Sequence, residues 1–233
     1  MAKMENLEFL ERICPPSAKD RTYEGLLDWL FGKGPRTVAV CADKAYRDVQ
    51  RNLAGIRKMP NPEKKSFREG ISALIASSVD GLFSQGVDGQ GAFDDWHNET
   101  CGKISGASNE HGVSELVKWM GGAFSYGVSQ KWLNMTIKNM LVMERWDGHL
   151  DPIRSHLHVP VDRIIMKTAS KELGVPIPRK TGGTGKYSNT GSKLESKPWS
   201  RWGHGEYAAF QEEVRKRVDR CPIDWEFGAW NKA

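Results

Sequence analysis

Residues 129–143, SQKWLNMTIKNMLVM, constrain the fold more than any other part of this chain. Read at helical spacing, Trp132, Leu133, Met135, Ile137, Met140, Leu141, Val142 and Met143 leave almost no polar face. A helix apolar nearly all round belongs in the middle of a domain, wrapped by other elements. Its polar residues Lys131, Asn134 and Lys138 fall on one narrow strip, at i, i+3 and i+7. An amine on such a helix must reach water, pair with a charge or line a cavity. The other periodic segments also read as helices: residues 7–13, 23–31, 43–59 with a basic face, 66–83, 93–104, 113–120 and 205–218. Residues 35–42 (PRTVAVCA) read either as a short strand or as the buried start of a helix. The expected fold class is therefore all-α, with residues 1–233 forming a single helical domain.

Composition narrows the partners. A net charge of +5 leans toward polyanions, and nine tryptophans supply candidates for stacking on a base as well as for the core. Cys14, Cys41, Cys101 and Cys221 are scattered without a CxxC or a His/Cys cluster. That spacing argues against a zinc or iron–sulfur centre and against a disulfide framework, so no metal or cofactor is expected. Residues 1–16 are charged and lack the apolar core of a signal peptide. No run approaches the ~18 apolar residues of a membrane span. A soluble, cytoplasmic monomer is the expectation. Residues 176–201 are rich in Gly, Ser, Thr, Pro and Lys, and carry Arg179, Lys180, Lys186, Lys193, Lys197 and Arg201 against Glu195. They read as a flexible basic loop, either a solvated connector or an arm that settles on phosphates.

Chemistry concentrates downstream of residue 113. A first helix (113–120), a turn around Gly127 and the central helix form a helix-turn-helix unit over 113–143. Gly127 is expected to take positive φ in that turn. Gly127, Val128 and Ser129 would then offer free N–H groups at a positive dipole end, a phosphate site that needs no base readout. Further on, His158-Val159-Pro160-Val161-Asp162 reads as an extended segment, because Pro160 disfavours helix before it. Asp162 opens a new helical pattern, where it is either a simple N-cap or a carboxylate for Lys131.

Gly127-Val128-Ser129-Gln130-Lys131 followed by Val159-Pro160-Val161-Asp162 resembles the signature of helix-hairpin-helix DNA glycosylases. In that superfamily a Gly-Val-Gly-x-Lys hairpin precedes a Val-Pro-Val-Asp segment, best known in 8-oxoguanine DNA glycosylases. The likeness covers about residues 113–169, and the long interval between Lys131 and Asp162 is closest to the archaeal branch. Ser129 replaces the second hairpin glycine, and Ser125-Tyr126 replaces the usual Leu-Pro. The resemblance implies two helical lobes around a cleft, with a helix-hairpin-helix motif. It also implies Lys131 as nucleophile, Asp162 as its catalytic carboxylate, and Met135 packed against the base. Glu206-Tyr207-Ala208-Ala209-Phe210 resembles the family's last helix, in which one residue reads the extruded base and an aromatic stacks on it. Glu206 and Phe210 are the corresponding pocket residues; read without the resemblance, they belong to an amphipathic surface helix with Phe210 in the core.

The implied function is excision of a modified base from DNA through a Lys131 Schiff base, with strand nicking by β-elimination. An oxidised purine is the substrate the resemblance implies, and a hypermodified base of the kind found in phage DNA is the alternative. Two other readings stay open: a non-catalytic helix-hairpin-helix DNA-binding module, and a helical protein with no nucleic-acid role in which Lys131 is a surface charge and Asp162 a cap.

Overall fold

A computed structural model describes residues 2–53, 56, 58–110, 125–179 and 196–231. The described residues are helical, with one isolated antiparallel bridge between Arg179 and Ser196 and no strand among them. The α-helices are α1 (Ala2–Ile13), α2 (Tyr23–Phe31), α3 (Val38–Val49), α4 (Asn61–Gln85), α5 (Gly89–Glu110) and α6 (Tyr126–Met143). The short α7 (Asp147–Leu150), α8 (Arg163–Leu173), α9 (His204–Arg217) and α10 (Pro222–Asn231) follow. Short 3-10 turns occupy Gln50–Asn52, Asp151–His156 and Trp199–Arg201. None of the described helices is long and apolar enough to cross a membrane.

Helix α6 is the axis, as its composition requires. Every residue in it except Tyr126 and Met135 is buried. Ser125 caps its start, the Oγ accepting from the Val128 N–H at 3.3 Å. Its end turns on Glu144, which adopts the left-handed conformation (φ 52°) without being glycine. Asn6 steadies that turn by donating to Leu141 O (3.2 Å) and to Glu144 Oε1 (2.9 Å). Helix α3 lies along α6. The Trp132 indole donates to Ala42 O and the Asn139 amide to Cys41 O, each at 2.9 Å, so the polar atoms of two buried side chains find carbonyls on α3. The rings of Tyr46 and Phe67 close on Trp132 at 5.3 and 6.0 Å.

Buried apolar side chains fall in two clusters. One joins α1 to α7, with Ile223 and Phe227 of α10; the other joins Val159, Val161, α8, Trp202, α9 and Trp225.

Of the two readings of residues 35–42, the buried start of a helix is the one found: Thr37 caps α3 by accepting from the Val40 N–H, and the helix begins at Val38. Two expectations need correction. The basic helix drawn over 43–59 ends at Val49, after which the chain turns so that Leu53, Ile56 and Met59 are buried. Gly127 is not a turn residue with positive φ; it lies inside the first turn of α6. Its missing side chain serves close approach instead, since a Cβ there would collide with the Trp199 carbonyl oxygen. Residues 113–120, the expected first helix of the hairpin, lie outside the described residues.

Gly127→Ala should therefore destabilise by ~1–3 kcal/mol through overpacking. Gly102→Ala, exposed in α5 with nothing within 4 Å of the added methyl, should stabilise by ~0.5–1 kcal/mol. Urea unfolding of the two variants checks this, and a shared sign contradicts it.

Candidate functional site

Lys131 sits one turn into α6 and Asp162 at the N-cap of α8, and the two meet: Lys131 Nζ is 2.7 Å from Asp162 Oδ2. The side chains are 6% and 15% exposed, so the pair is sheltered, Asp162 less completely than Lys131. Asp162 divides its oxygens. Oδ1 accepts from the Ile164 and Ile165 N–H groups at 2.8 and 2.9 Å, capping α8, while Oδ2 faces the amine. Capping and pairing with Lys131 are thus two uses of one carboxylate. Burial pushes the Asp162 carboxyl up, but the Lys131 ammonium and the Ile165 and Ile164 N–H groups outweigh it and hold its pKa below the ordinary value. The Trp199 ring flanks the amine, with its centroid 5.9 Å from Nζ.

Between the two residues, Leu157 to Val161 run buried without secondary structure. Pro160 has no N–H to satisfy there, which removes one unpaired donor from a dry environment. Next to this segment a polar chain crosses the interior. His97 Nε2 lies 2.9 Å from Asn134 Oδ1, and the Asn134 amide donates to Tyr207 Oη at 2.7 Å. Tyr207 Oη is 2.9 Å from His158 Nδ1, and His158 Nε2 is 2.7 Å from Asp94. Burial lowers the pKa of both histidines, so each is neutral at pH 7. With neutral rings the donors run in order: His97 Nε2–H to Asn134, Tyr207 O–H to His158 Nδ1, His158 Nε2–H to Asp94. Every heteroatom of this chain is satisfied.

Seven residues along α6, Lys138 makes a second and drier pair with Glu226 of α10. Both side chains are 1% exposed, and Nζ lies 2.9 Å from Oε1 and 2.6 Å from Oε2. Only Oε1 accepts with acceptable direction. Phe9 and Phe227 lie 4.6 Å from the ammonium and Trp230 5.6 Å. Burial dominates for both partners, pushing Glu226 up and Lys138 down toward their neutral forms. Asp48 of α3 belongs to the same charged region. Burial raises its pKa, and Lys131 is foremost among the cations that oppose the rise, with Lys44 and Lys138 next.

The other expected site residues are not gathered here. Glu206 caps the start of α9 from its first turn, accepting from the Gly203 N–H at 2.9 Å and from Lys197 Nζ at 2.6 Å. Phe210 is buried against Trp202, ring centroids 5.3 Å apart, so it is a core residue and not a stacking platform. Met135 is half-buried against the first apolar cluster. The phosphate expectation fails for a simple reason: the N–H groups are taken. Gly127 N–H donates to Trp202 O (3.0 Å), Val128 N–H to Ser125 O (3.0 Å), and Ser129 N–H to Ser125 O (3.2 Å). The segment that covers them, residues 196–202, overlaps the end of the flexible basic loop expected over residues 176–201. Instead Lys197 N–H donates to Pro178 O at 2.8 Å, and Ser125 Oγ donates to Ser200 O. Residues 180–195, the middle of that loop, lie outside the described residues. A groove of about 380 Å³ lined by Leu30, Val40, Lys44, Arg47 and Ser72 includes neither Lys131 nor Asp162.

Sequence reasoning missed Trp199, Asp48 and Glu226. Lys138 had a signal, sharing the polar strip with Lys131. Asp48 is hidden among the basic residues of α3, and the partnership of Glu226 with α6 spans 88 residues.

Two stability outcomes follow from the pairs. Lys138→Met should cost ~3–5 kcal/mol by leaving Glu226 buried alone, and adding Glu226→Leu should restore most of it; equal stability of the single and double variants in urea contradicts this. Because the folded Asp162 pKa is depressed, its contribution is fully present above pH ~4 and is lost as pH falls through the folded value. Asp162→Asn, which keeps the cap oxygen, should flatten that acid limb in unfolding measured from pH 6 to pH 2. An unchanged limb contradicts the pairing.

No family model, no curated protein and no solved structure matches this chain.

Proposed function

We propose that this protein is a DNA glycosylase of the helix-hairpin-helix type, excising a modified base through Lys131 and Asp162. The observation that carries the reading is the sheltered contact between the Lys131 amine and the Asp162 carboxylate, 2.7 Å apart across 31 residues of sequence. A nucleophilic lysine needs a nearby group to take its proton and a negative charge to face the cation that develops at the sugar. In this reading Asp162 Oδ2 does the two in turn, while Oδ1 stays anchored to α8.

The chemistry balances with these two side chains. One Lys131 proton passes to Asp162 Oδ2, freeing the amine lone pair. Asp162 gives that proton to the base as the bond to C1′ breaks and the electron pair leaves with the base, so the restored carboxylate faces the positive charge at C1′. The amine bonds to C1′, a second proton passes from the new ammonium through Asp162 to O4′ as the C1′–O4′ bond breaks and the sugar ring opens, and a protonated Schiff base results. Loss of a C2′ proton then expels the 3′ phosphate, which nicks the strand. The nucleotide must first leave the duplex stack, at a cost of a few kcal/mol. The net charge of +5 suits a DNA partner. This reading includes two lobes around a cleft, an intracellular setting and a monomer. The excised base is an oxidised purine by resemblance, or a hypermodified base.

A purely structural pair is the second reading, and Lys138–Glu226 favours it by showing that α6 already holds one buried pair with no free edge. The greater exposure of Asp162 separates the two pairs. Lys131→Gln should abolish base release from modified-base duplexes, scored by alkali cleavage, while gel-shift affinity stays within about threefold. Release by the Gln variant at the wild-type rate assigns the pair to structure alone.

A further inference from the structure

We infer that Gln130 and Gln211 are positioning residues, which hold the extended segment before Asp162 by paired amide hydrogen bonds and so set that carboxylate against Lys131. The inference rests on the catalytic reading of the Lys131–Asp162 pair.

A buried extended segment needs partners for its N–H and C=O groups, and a neighbouring strand usually provides them. This protein has no such strand among its described residues. Two glutamine side chains take its place. Gln211 of α9 accepts from the Val159 N–H at 3.1 Å and donates to Val159 O at 2.8 Å. Gln130 of α6 treats the next available peptide unit alike: its Oε1 accepts from the Val161 N–H at 3.4 Å and its Nε2 donates to Val161 O at 3.2 Å. Between them stands Pro160, which has no N–H. Each primary amide therefore copies the donor-and-acceptor edge of a β-strand residue.

The arrangement is buried: Gln130 is 0% and Gln211 2% exposed. It is also braced. Gln130 Nε2 donates to Gly127 O at 2.8 Å, and the Asn134 amide donates to Gln130 Oε1 at 3.1 Å. Gln130 precedes Lys131 directly, so one turn of α6 carries both the amine and the clamp on the segment that ends at its carboxylate. Rotation or slip of the segment by an ångström would separate Oδ2 from Nζ, and a misplacement of that size can cost on the order of 10²-fold in rate.

The test uses Gln211→Met, which keeps the volume and loses both bonds, and Gln211→Asn, which keeps the amide and draws it back by one methylene. Two readouts are taken: single-turnover base release, and titration of the Asp162 carboxyl carbon by NMR. The expected result for Gln211→Met is a fall of about 10²-fold in release rate with DNA affinity within twofold, and an Asp162 pKa moved up toward the ordinary value. Gln211→Asn, the milder lesion, should fall between this variant and the wild type in both readouts, and it serves alone if the Met variant does not fold. An unchanged Asp162 titration in a folded variant overturns the inference, even if the melting temperature drops. If the wild type releases no base, the catalytic reading fails, and the titration still decides whether the glutamines position Asp162.

Discussion

A charge buried on the central helix must be met by an opposite charge, and the rest of this structure is arranged around that demand. Helix α6 is apolar enough to be wrapped on all sides, yet it carries two lysines on its inner strip. Leaving either ammonium unpaired in such surroundings would cost several kcal/mol. Lys138 draws α10 onto the helix through Glu226, with α1 contributing Phe9. Lys131 draws in the end of a buried extended segment through Asp162. The amines of α6 thus fix two of the elements around it, while α3, its main neighbour, is held by Trp132 and Asn139.

The two solutions differ in a way that separates scaffold from site. Lys138 is enclosed by three aromatic rings and a fully buried carboxylate, an arrangement that leaves no room for chemistry. Lys131 has one aromatic neighbour among the described residues and a partner acid that is 15% exposed. Asp162 is also the better held of the two acids, because the helix it caps and the glutamine-clamped segment before it fix it from both directions. Under the proposed function the Lys131 pair, with its firmly oriented carboxylate, does the chemistry on the sugar, and the sealed Lys138 pair provides cohesion.

Much of this was legible in the sequence, for identifiable reasons. The continuous apolar pattern of residues 129–143 declares a central helix whatever surrounds it. Pro160 marks the segment before Asp162 as extended, and Asp162 reads as the opening of a helix. Elsewhere local pattern misled. Glu206 and Phe210 show the i, i+4 spacing of a pocket pair, but spacing alone does not distinguish a capping glutamate above a core phenylalanine from a site. Gly127 looked like a turn residue because glycine's conformational freedom is its commonest use; here the constraint is the carbonyl of Trp199, 72 positions away and invisible to local reading. Residues 196–201 are polar and Gly-poor next to a Gly-rich stretch, yet Trp199 and Trp202 anchor them to the start of α6. Long-range partners, not local propensity, decide each of these cases.

The central claim is that the Lys131 amine forms a covalent bond to the sugar of a damaged or modified nucleotide. Borohydride reduction of wild-type protein on duplexes carrying defined modified bases, followed by peptide mass spectrometry, tests it directly. The account predicts a deoxyribose-derived adduct on the peptide containing Lys131, formed only on duplexes from which a base is released. Base release accompanied by an adduct on a different lysine, or by none at all, contradicts it.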